Sequence, residues 1–90
     1  MGGRQAKLKK HTAFMVDFIS DFVNGEIDRF FFDLDYSGYV IEHYPHMEYE
    51  NEGFAQKFAD TINTTYNLYS DLPDEEFRVK MSEALNDWLN

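Results

Sequence analysis

The sequence predicts a mainly α protein, folded as a four-helix bundle-like single domain. Three segments carry apolar residues at helical spacing, and residues typical of helix ends flank each of them. Ninety residues suffice for one domain, which can bury about 60–68% of its unfolded surface. We expect this domain to span 12–90, after a basic flexible tail at 1–11.

The first predicted helix starts at Thr12, a residue type that caps helix N-termini, and ends at Asn24-Gly25. The four bases that precede it oppose the positive end of the helix dipole, so little order is expected before Thr12. Its apolar residues recur at i, i+1, i+4, i+5, i+8 and i+9, which places them on one face. They are Phe14, Met15, Phe18, Ile19, Phe22 and Val23.

Two further helices are predicted in the second half of the chain. One is opened by Asn51 and runs over 52–69. The other begins with Pro73, which suits a first helical position, and three acids follow where the helix dipole is positive. Their apolar stripes are Phe54, Ala55, Phe58, Ala59, Ile62, Tyr66 and Tyr69, and then Phe77, Met81, Ala84, Leu85 and Trp88.

The segment between the first two of these helices has two interpretations. As strands, residues 29–44 alternate in polarity and turn at Ser37-Gly38, which gives an α+β fold of a helix, a β-hairpin and two helices. As a helix, the segment is capped by Asp28, is broken at Ser37-Gly38 and ends at Pro45. Strand propensity favours the hairpin slightly, whereas Gly25 followed by a capping Asp favours the helix. The helix would carry Phe30 or Phe31, Leu34, Ile41 and Tyr44 on one face.

Acids and bases are segregated along the chain. Residues 1–10 carry four bases and no acid, whereas residues 11–90 carry 17 acids against four bases, a net charge of −13. A body of this charge repels nucleic acid and membranes and associates fastest with a strongly basic protein. The chain has no cysteine, signal-peptide pattern or membrane-spanning stretch, so we expect a cytoplasmic protein. Its net charge of −9 predicts a monomer when free.

Residues 33–44 reproduce part of an EF-hand calcium loop. Asp, Asp, Ser and Gly stand at the first, third, fifth and sixth positions, but the final bidentate Glu is replaced by Tyr44. Losing that carboxylate removes two of the six or seven oxygen ligands that calcium needs. A calcium-binding module is therefore an alternative, and an acidic surface or turn is the favoured interpretation.

The pair His43-x-x-His46, with Glu42 and Glu48 beside it, has a spacing that can bind zinc on a helix. Pro45 lies between the two histidines, and neither a cysteine nor an evident third ligand accompanies them. We therefore expect two partly exposed histidines and no cofactor. No nucleophile–base pair or phosphate-binding glycine loop stands out, so an enzyme is not expected.

The favoured functional hypothesis is an acidic, aromatic interaction surface. Carboxylates on a rigid surface can occupy the positions of phosphates on a nuclease, and Tyr supplies contact area at low entropic cost. Each single carboxylate is equally well explained as a solvated face, but −13 in 80 residues exceeds what solubility requires. The residues expected to bind the partner are Asp33, Asp35, Tyr36, Tyr39, Glu42, Glu48, Tyr49, Glu50 and Glu52.

Two stretches resemble small helical immunity proteins of the colicin D type. Phe18 to Phe32 resembles their first helix, the Gly-Glu-Ile-Ser/Asp junction and the aromatic second helix, and Leu72 to Phe77 is similar to the acidic start of their final helix. The resemblance implies a four-helix bundle whose acidic face blocks the basic, RNA-binding active site of a toxin ribonuclease.

In general character the chain also resembles phage-encoded anti-CRISPR and anti-restriction proteins that imitate DNA, and a hairpin at 29–44 would favour this alternative. Both resemblances imply one mechanism, in which carboxylates replace phosphates in a basic channel. The sequence therefore predicts a non-enzymatic inhibitor of a basic nucleic-acid-handling protein, with no direct binding of nucleic acid.

Overall fold

The computed structural model describes residues 8–90, and its regular structure is helical throughout. No strand occurs within residues 8–90, which confirms the mainly α prediction and excludes the alternative of a hairpin at 29–44. The third helix contains a π-helical turn, Ala59–Asn63, between two α-helical segments. The helices are α1 (Lys10–Val23), α2 (Arg29–Glu50), α3 (Glu52–Phe58, Ala59–Asn63 and Thr64–Tyr69) and α4 (Asp74–Leu89).

Each helix packs antiparallel to the next, so the four form an up-down-up-down bundle. α1 contacts α2 and α4, and α3 contacts the same two helices from the opposite side. Ring contacts at both ends of each sequential pair establish these directions. They are Phe14 with His43 and Phe22 with Phe32, Tyr36 with Tyr66 and Tyr44 with Phe58, and Phe54 with Trp88 and Tyr66 with Phe77.

Aromatic rings dominate the core. Phe22 and Phe32 stack with their centroids 4.1 Å apart at one end of the bundle, and Phe58 meets Trp88 at 5.0 Å at the other. The Trp88 indole N–H donates a 3.0 Å hydrogen bond to the Phe54 carbonyl, so its polar atom is satisfied inside the core. Such pairs contribute about 0.5–1.5 kcal/mol each beyond the area that they bury.

Most of the predicted apolar stripes of α1, α3 and α4 are buried. Phe14 differs, because it is 38% exposed at the edge of α1. The ends of these helices also follow the prediction closely. Gly25 adopts a φ of 85° just after α1, and the Asn51 side chain caps α3 by accepting a 3.0 Å hydrogen bond from the Phe54 N–H. Pro73 lies one position before α4 rather than inside it.

α2 is longer than the predicted helix and buries a different face. Its cap is confirmed, since the Asp28 carboxylate accepts a 3.0 Å hydrogen bond from the Phe31 N–H. The predictions of a break at Ser37-Gly38 and an end at Pro45 are wrong, because the helix continues to Glu50. A proline in a helix costs about 3 kcal/mol, and four buried side chains along α2 offset that cost. They are Phe32, Tyr36, His43 and Met47.

The predicted apolar face of α2 points away from the bundle. Leu34 is 64% exposed and Ile41 is 76% exposed, while Phe30 and Phe31 are also exposed. Tyr44 is partly buried and packs against Phe58. The correction follows from the core, because the rings of α1 and α4 meet the opposite side of α2. α2 therefore presents an outer surface that is rich in large apolar side chains.

α1 begins at Lys10, two residues before the predicted start, and the preceding Leu8 packs against the core. The predicted flexible tail therefore cannot include Lys10 and His11, which belong to the helix. Its residues 1–7 lie outside the described residues. None of the helices within 8–90 combines the length and the apolar character that crossing a bilayer requires.

Candidate interaction surface

The predicted contact residues do not form one surface, because α2 distributes them around its circumference. Successive residues of a helix are about 100° apart. Four of the nine therefore fall on the side of α2 next to α1, and Asp33 falls on the side next to α3. The four are Asp35, Tyr39, Glu42 and Tyr49.

A groove between α1 and α2 collects acidic side chains from both helices. Asp17 and Asp21, one turn apart on α1, face Asp35 across it, and its volume is about 330 Å³. No Lys or Arg lines this groove, and none of the three carboxylates has an ion-pair partner within residues 8–90. We call it the acidic groove, and its lining residues are Phe14, Asp17, Phe18, Asp21, Ile27, Asp35 and Tyr39.

Sequence reasoning missed Asp17 and Asp21 as site residues. Their i, i+4 spacing beside the apolar stripe of α1 was a usable signal, since it places both carboxylates on one exposed edge. Their proximity to Asp35 depends on how α1 packs against α2. Glu42 lies two turns beyond Asp35 on the same side of α2 and extends the acidic surface along the helix.

Negative charge is concentrated in the first half of the bundle. Residues 11–56 carry ten acids and one base, whereas residues 57–90 carry seven acids and three bases. The single base, Arg29, is engaged with Asp33 at 2.9 Å and with Asp74 at 3.4 Å. Four of the ten acids lie on the side that includes the acidic groove, namely Asp17, Asp21, Asp35 and Glu42.

Tyr36 is not available to a partner, which corrects its prediction as a contact residue. It is 2% exposed, stacks on Tyr66 with the centroids 3.9 Å apart, and donates a 2.7 Å hydrogen bond to the Asn63 side chain. Burial, with a smaller contribution from Tyr66, raises the pKa of Tyr36 far above its ordinary value. Tyr36 is thus a neutral core residue that joins α2 to the π turn of α3.

Glu50 has a structural role that its prediction as a contact residue did not include. Its carboxylate accepts hydrogen bonds of 2.8 Å from the N–H groups of His11 and Thr12 and of 2.7 Å from the Thr12 hydroxyl. Burial alone would raise the pKa of Glu50, but these hydrogen bonds outweigh it and hold the pKa below its usual range. Glu50 therefore caps α1 from the end of α2, a role predicted for Thr12.

The remaining predicted contacts lie on the α3 side of α2 or near its C-terminus. The Asp33 carboxylate is bound by Arg29 and accepts a 3.1 Å hydrogen bond from the Tyr66 hydroxyl. Burial and the Asp33 carboxylate raise the pKa of Tyr66 to about 12. Glu48 and Glu52 are exposed near Tyr44, where burial and the carboxylates of Glu48, Asp60 and Glu52 raise the Tyr44 pKa.

The calcium-loop interpretation of 33–44 requires a backbone that the segment does not adopt. The segment is a continuous part of α2. Asp33 and Asp35 therefore project about 200° apart around the helix, so they cannot serve as the adjacent ligands of an EF-hand loop. These carboxylates lie on two different sides of α2.

The three histidines of the chain meet at one end of the bundle. The Nδ1 atoms of His11 and His43 are 2.8 Å apart, and His46 stacks on His11 with the centroids at 4.1 Å and the planes 15° apart. Imidazole lone pairs lie in the ring plane, so the parallel rings of His11 and His46 do not converge on one ion. Within residues 8–90 no group of three or more His, Asp or Glu is arranged to hold a metal.

This histidine cluster predicts a loss of stability in mild acid. Burial, which outweighs the nearby Glu42 carboxylate, lowers the pKa of His43 below its ordinary value of 6.5. The unfolded chain therefore binds this proton first as the pH falls. Neutral His43 makes its full contribution to the free energy of unfolding above about pH 6.5. This contribution is lost as the pH falls through the pKa of His43 in the folded protein, which is the lower of the two.

We expect urea denaturation to give a lower free energy of unfolding at about pH 5.5 than at about pH 7.5. His43→Asn, which keeps a hydrogen-bonding group near the Nδ1 position, should reduce this difference. His46→Asn, at an exposed position in the same cluster, should retain it. An equal pH dependence in the wild type and in His43→Asn would contradict the assignment to His43.

The chemistry available in the acidic groove is the binding of cationic groups. Its carboxylates can accept hydrogen bonds from guanidinium and ammonium groups. The rings of Phe14 and Tyr39, 4.9 Å apart at one end of the groove, can pack against an Arg side chain.

No protein-family model, no curated protein and no solved structure matches this chain.

Proposed function

We propose that this protein is a non-enzymatic inhibitor that binds the basic nucleic-acid site of a nuclease and blocks it. The observation that carries the proposal is the acidic groove, in which Asp17 and Asp21 of α1 lie opposite Asp35 of α2 without a cation among the lining residues. Carboxylates in this arrangement would occupy the positions of nucleic-acid phosphates on the partner. The bound inhibitor would then exclude the substrate.

The groove can engage more than one basic side chain at once. Asp17 and Asp21 lie about 6 Å apart along the α1 axis, and Asp35 approaches from α2. A guanidinium group can bind one carboxylate through two hydrogen bonds and stack on a neighbouring ring. A cluster of Arg and Lys residues, such as those that bind RNA or DNA backbones, has the complementary chemistry.

The concentration of charge also favours rapid association. Ten acids against one base in residues 11–56 produce a long-range field toward a basic partner. Such steering raises the association rate and makes it fall with ionic strength. Speed matters for an inhibitor of a nuclease, because each free nuclease molecule continues to cleave its substrate.

The resemblance to colicin D-type immunity proteins suggests the first target to test, a toxin ribonuclease. A four-helix bundle is the fold that this resemblance implies, and it is the fold observed. A hairpin at 29–44 would have favoured the alternative, a phage-encoded anti-CRISPR or anti-restriction DNA mimic. That segment is helical, so no structural feature now favours the alternative over toxin immunity.

Neutralising the acidic groove is expected to weaken inhibition of a colicin D-type ribonuclease domain by roughly 100-fold at low salt. The variant combines Asp17→Asn, Asp21→Asn, Asp35→Asn and Glu42→Gln, and it leaves the capping Glu50 unchanged. RNA cleavage is measured against inhibitor concentration at several ionic strengths. The salt dependence of inhibition should also flatten, because fewer charges contribute to association.

A matched control removes four charges from the other half of the bundle. Asp71→Asn, Glu76→Gln, Glu83→Gln and Asp87→Asn change exposed carboxylates on or before α4. This control should inhibit nearly as well as the wild type, and circular dichroism should show both variants folded. Equal losses in the two variants would assign inhibition to net charge alone. Absence of inhibition by the wild type would reject the ribonuclease as target.

A further inference from the structure

A second surface follows the seam between α2 and α3, on the opposite side of α2 from the acidic groove. Two adjoining grooves of about 200 and 190 Å³ run along it, and they share Val40 and Asn63. We call them together the α2–α3 furrow. Neither Asp, Glu, Lys nor Arg lines it. The lining residues are Tyr36, Ser37, Val40, Ile41, Tyr44, Phe58, Ala59, Asn63, Tyr66 and Asn67.

The outer edge of the furrow is an apolar stripe on α2. Leu34 and Ile41 are both more than half exposed and lie two helical turns apart on one side of the helix. Between them Ser37 and Gly38 are small, and a Cβ placed on Gly38 would meet no atom within 4 Å outside the adjacent backbone of α2. Small residues between larger apolar ones allow another helix to approach closely.

Charge is distributed unequally between the two ends of the furrow. At the Asp33 end the carboxylate is already paired with Arg29. At the Tyr44 end, Glu48 and Glu52 are exposed and have no ion-pair partner within residues 8–90. This end therefore attracts positive charge, whereas the rest of the furrow is suited to apolar side chains.

We propose that the α2–α3 furrow binds an amphipathic helix of a partner protein. Apolar side chains of that helix would enter the furrow beside Ile41, and Lys or Arg at one of its ends would contact Glu48 and Glu52. The distance from Leu34 to Tyr44 along α2 is about 15 Å, so three turns of partner helix suffice. This is the helix-in-groove mode of recognition.

This binding site differs from the acidic groove and does not depend on the proposed function. A second copy of the chain is a poorer occupant than a basic helix, because two molecules with a net charge of −9 repel each other. A partner helix with positive charge at one end has the complementary charge distribution. The partner's chemistry is thus an apolar helical face with a basic terminus.

The test uses a labelled, Ala-based helical peptide of about 12 residues, with Leu on one face and Arg at one end. Fluorescence anisotropy measures its affinity for the protein. Leu34→Ser with Ile41→Ser is expected to weaken binding by about tenfold, and Glu48→Gln with Glu52→Gln by a similar factor. A peptide of the same composition with its Arg residues dispersed should bind less tightly than the original.

Matched controls separate this site from other surfaces. Leu68→Ser with Val79→Ser removes exposed apolar residues elsewhere and should leave the affinity unchanged. The acidic-groove variant should bind the peptide as the wild type does, so the peptide assay and the ribonuclease assay can fail separately. Equal affinity in wild type and both furrow variants would overturn the proposal. A dimer that dissociates on Leu34→Ser with Ile41→Ser would also overturn it, in favour of a second copy.

Discussion

Phe32→Ala is expected to lower the free energy of unfolding by about 3–5 kcal/mol. Phe32 is fully buried in α2, stacks on Phe22 and Phe18 at 4.1 and 4.9 Å, and meets Tyr66 and Phe77 at 6.1 and 6.4 Å. Its ring therefore touches side chains from the three other helices. Truncation leaves a cavity that cannot collapse unless all three helices move. Urea denaturation, followed by circular dichroism and by Trp88 fluorescence, measures the loss.

Phe30→Ala is the matched control, since it removes the same side chain two residues earlier in the same helix. Phe30 is 68% exposed, so the expected change is within about 0.5 kcal/mol. The pair also tests which face of α2 is buried. A larger loss for Phe30→Ala than for Phe32→Ala would mean that α2 packs through the face that the sequence pattern indicated.

Arg29→Met is expected to lower the free energy of unfolding by about 2–3 kcal/mol. The guanidinium donates hydrogen bonds of 2.6 and 3.2 Å to the carbonyls of Ser70 and Leu72, and it lies 4.0 Å from the Phe77 ring centroid. It thereby connects the start of α2 to the loop between α3 and α4. Met preserves much of the apolar stem but leaves both carbonyls without these donors.

Two further substitutions serve as comparisons for Arg29→Met. Arg29→Lys keeps the charge but loses the planar fork, so it should recover only part of the stability. Arg78→Met removes an Arg that packs on Phe22 and donates to one carbonyl, and it should cost less than Arg29→Met. Thermal or urea denaturation of the three variants gives the order. An Arg29→Met protein within about 0.5 kcal/mol of wild type would show that the Arg29 contacts contribute little.

Three helices could be predicted because their local signals agree with their packing. In α4 the acids of the first turn and the apolar stripe from Phe77 to Trp88 favour the same helix and the same buried face. The cap Asn51 of α3 acts on an N–H group three residues away, so its effect depends on local geometry alone. These features need no information from distant parts of the chain.

α2 shows where local signals are insufficient. Phe30, Phe31 and Phe32 are all apolar, so the pattern by itself cannot select the buried face. Pro45 and Gly38 are unfavourable inside a helix. Burial of Met47 and His43 against the other helices offsets this cost, so α2 continues beyond both residues. The resulting outer face, with Leu34 and Ile41 exposed, exists because the core selected the opposite side.

The amino-acid sequence by itself determined the fold class, three of the four helices and the strong negative charge, because periodicity, caps and composition are properties of nearby residues or of simple counts. Only the tertiary structure decided that Asp17 and Asp21 meet Asp35, that Glu50 caps α1, and that His11 joins His43. Each of these contacts links residues on different helices. Their geometry depends on how the aromatic core orients α1 against α2, which no local pattern encodes.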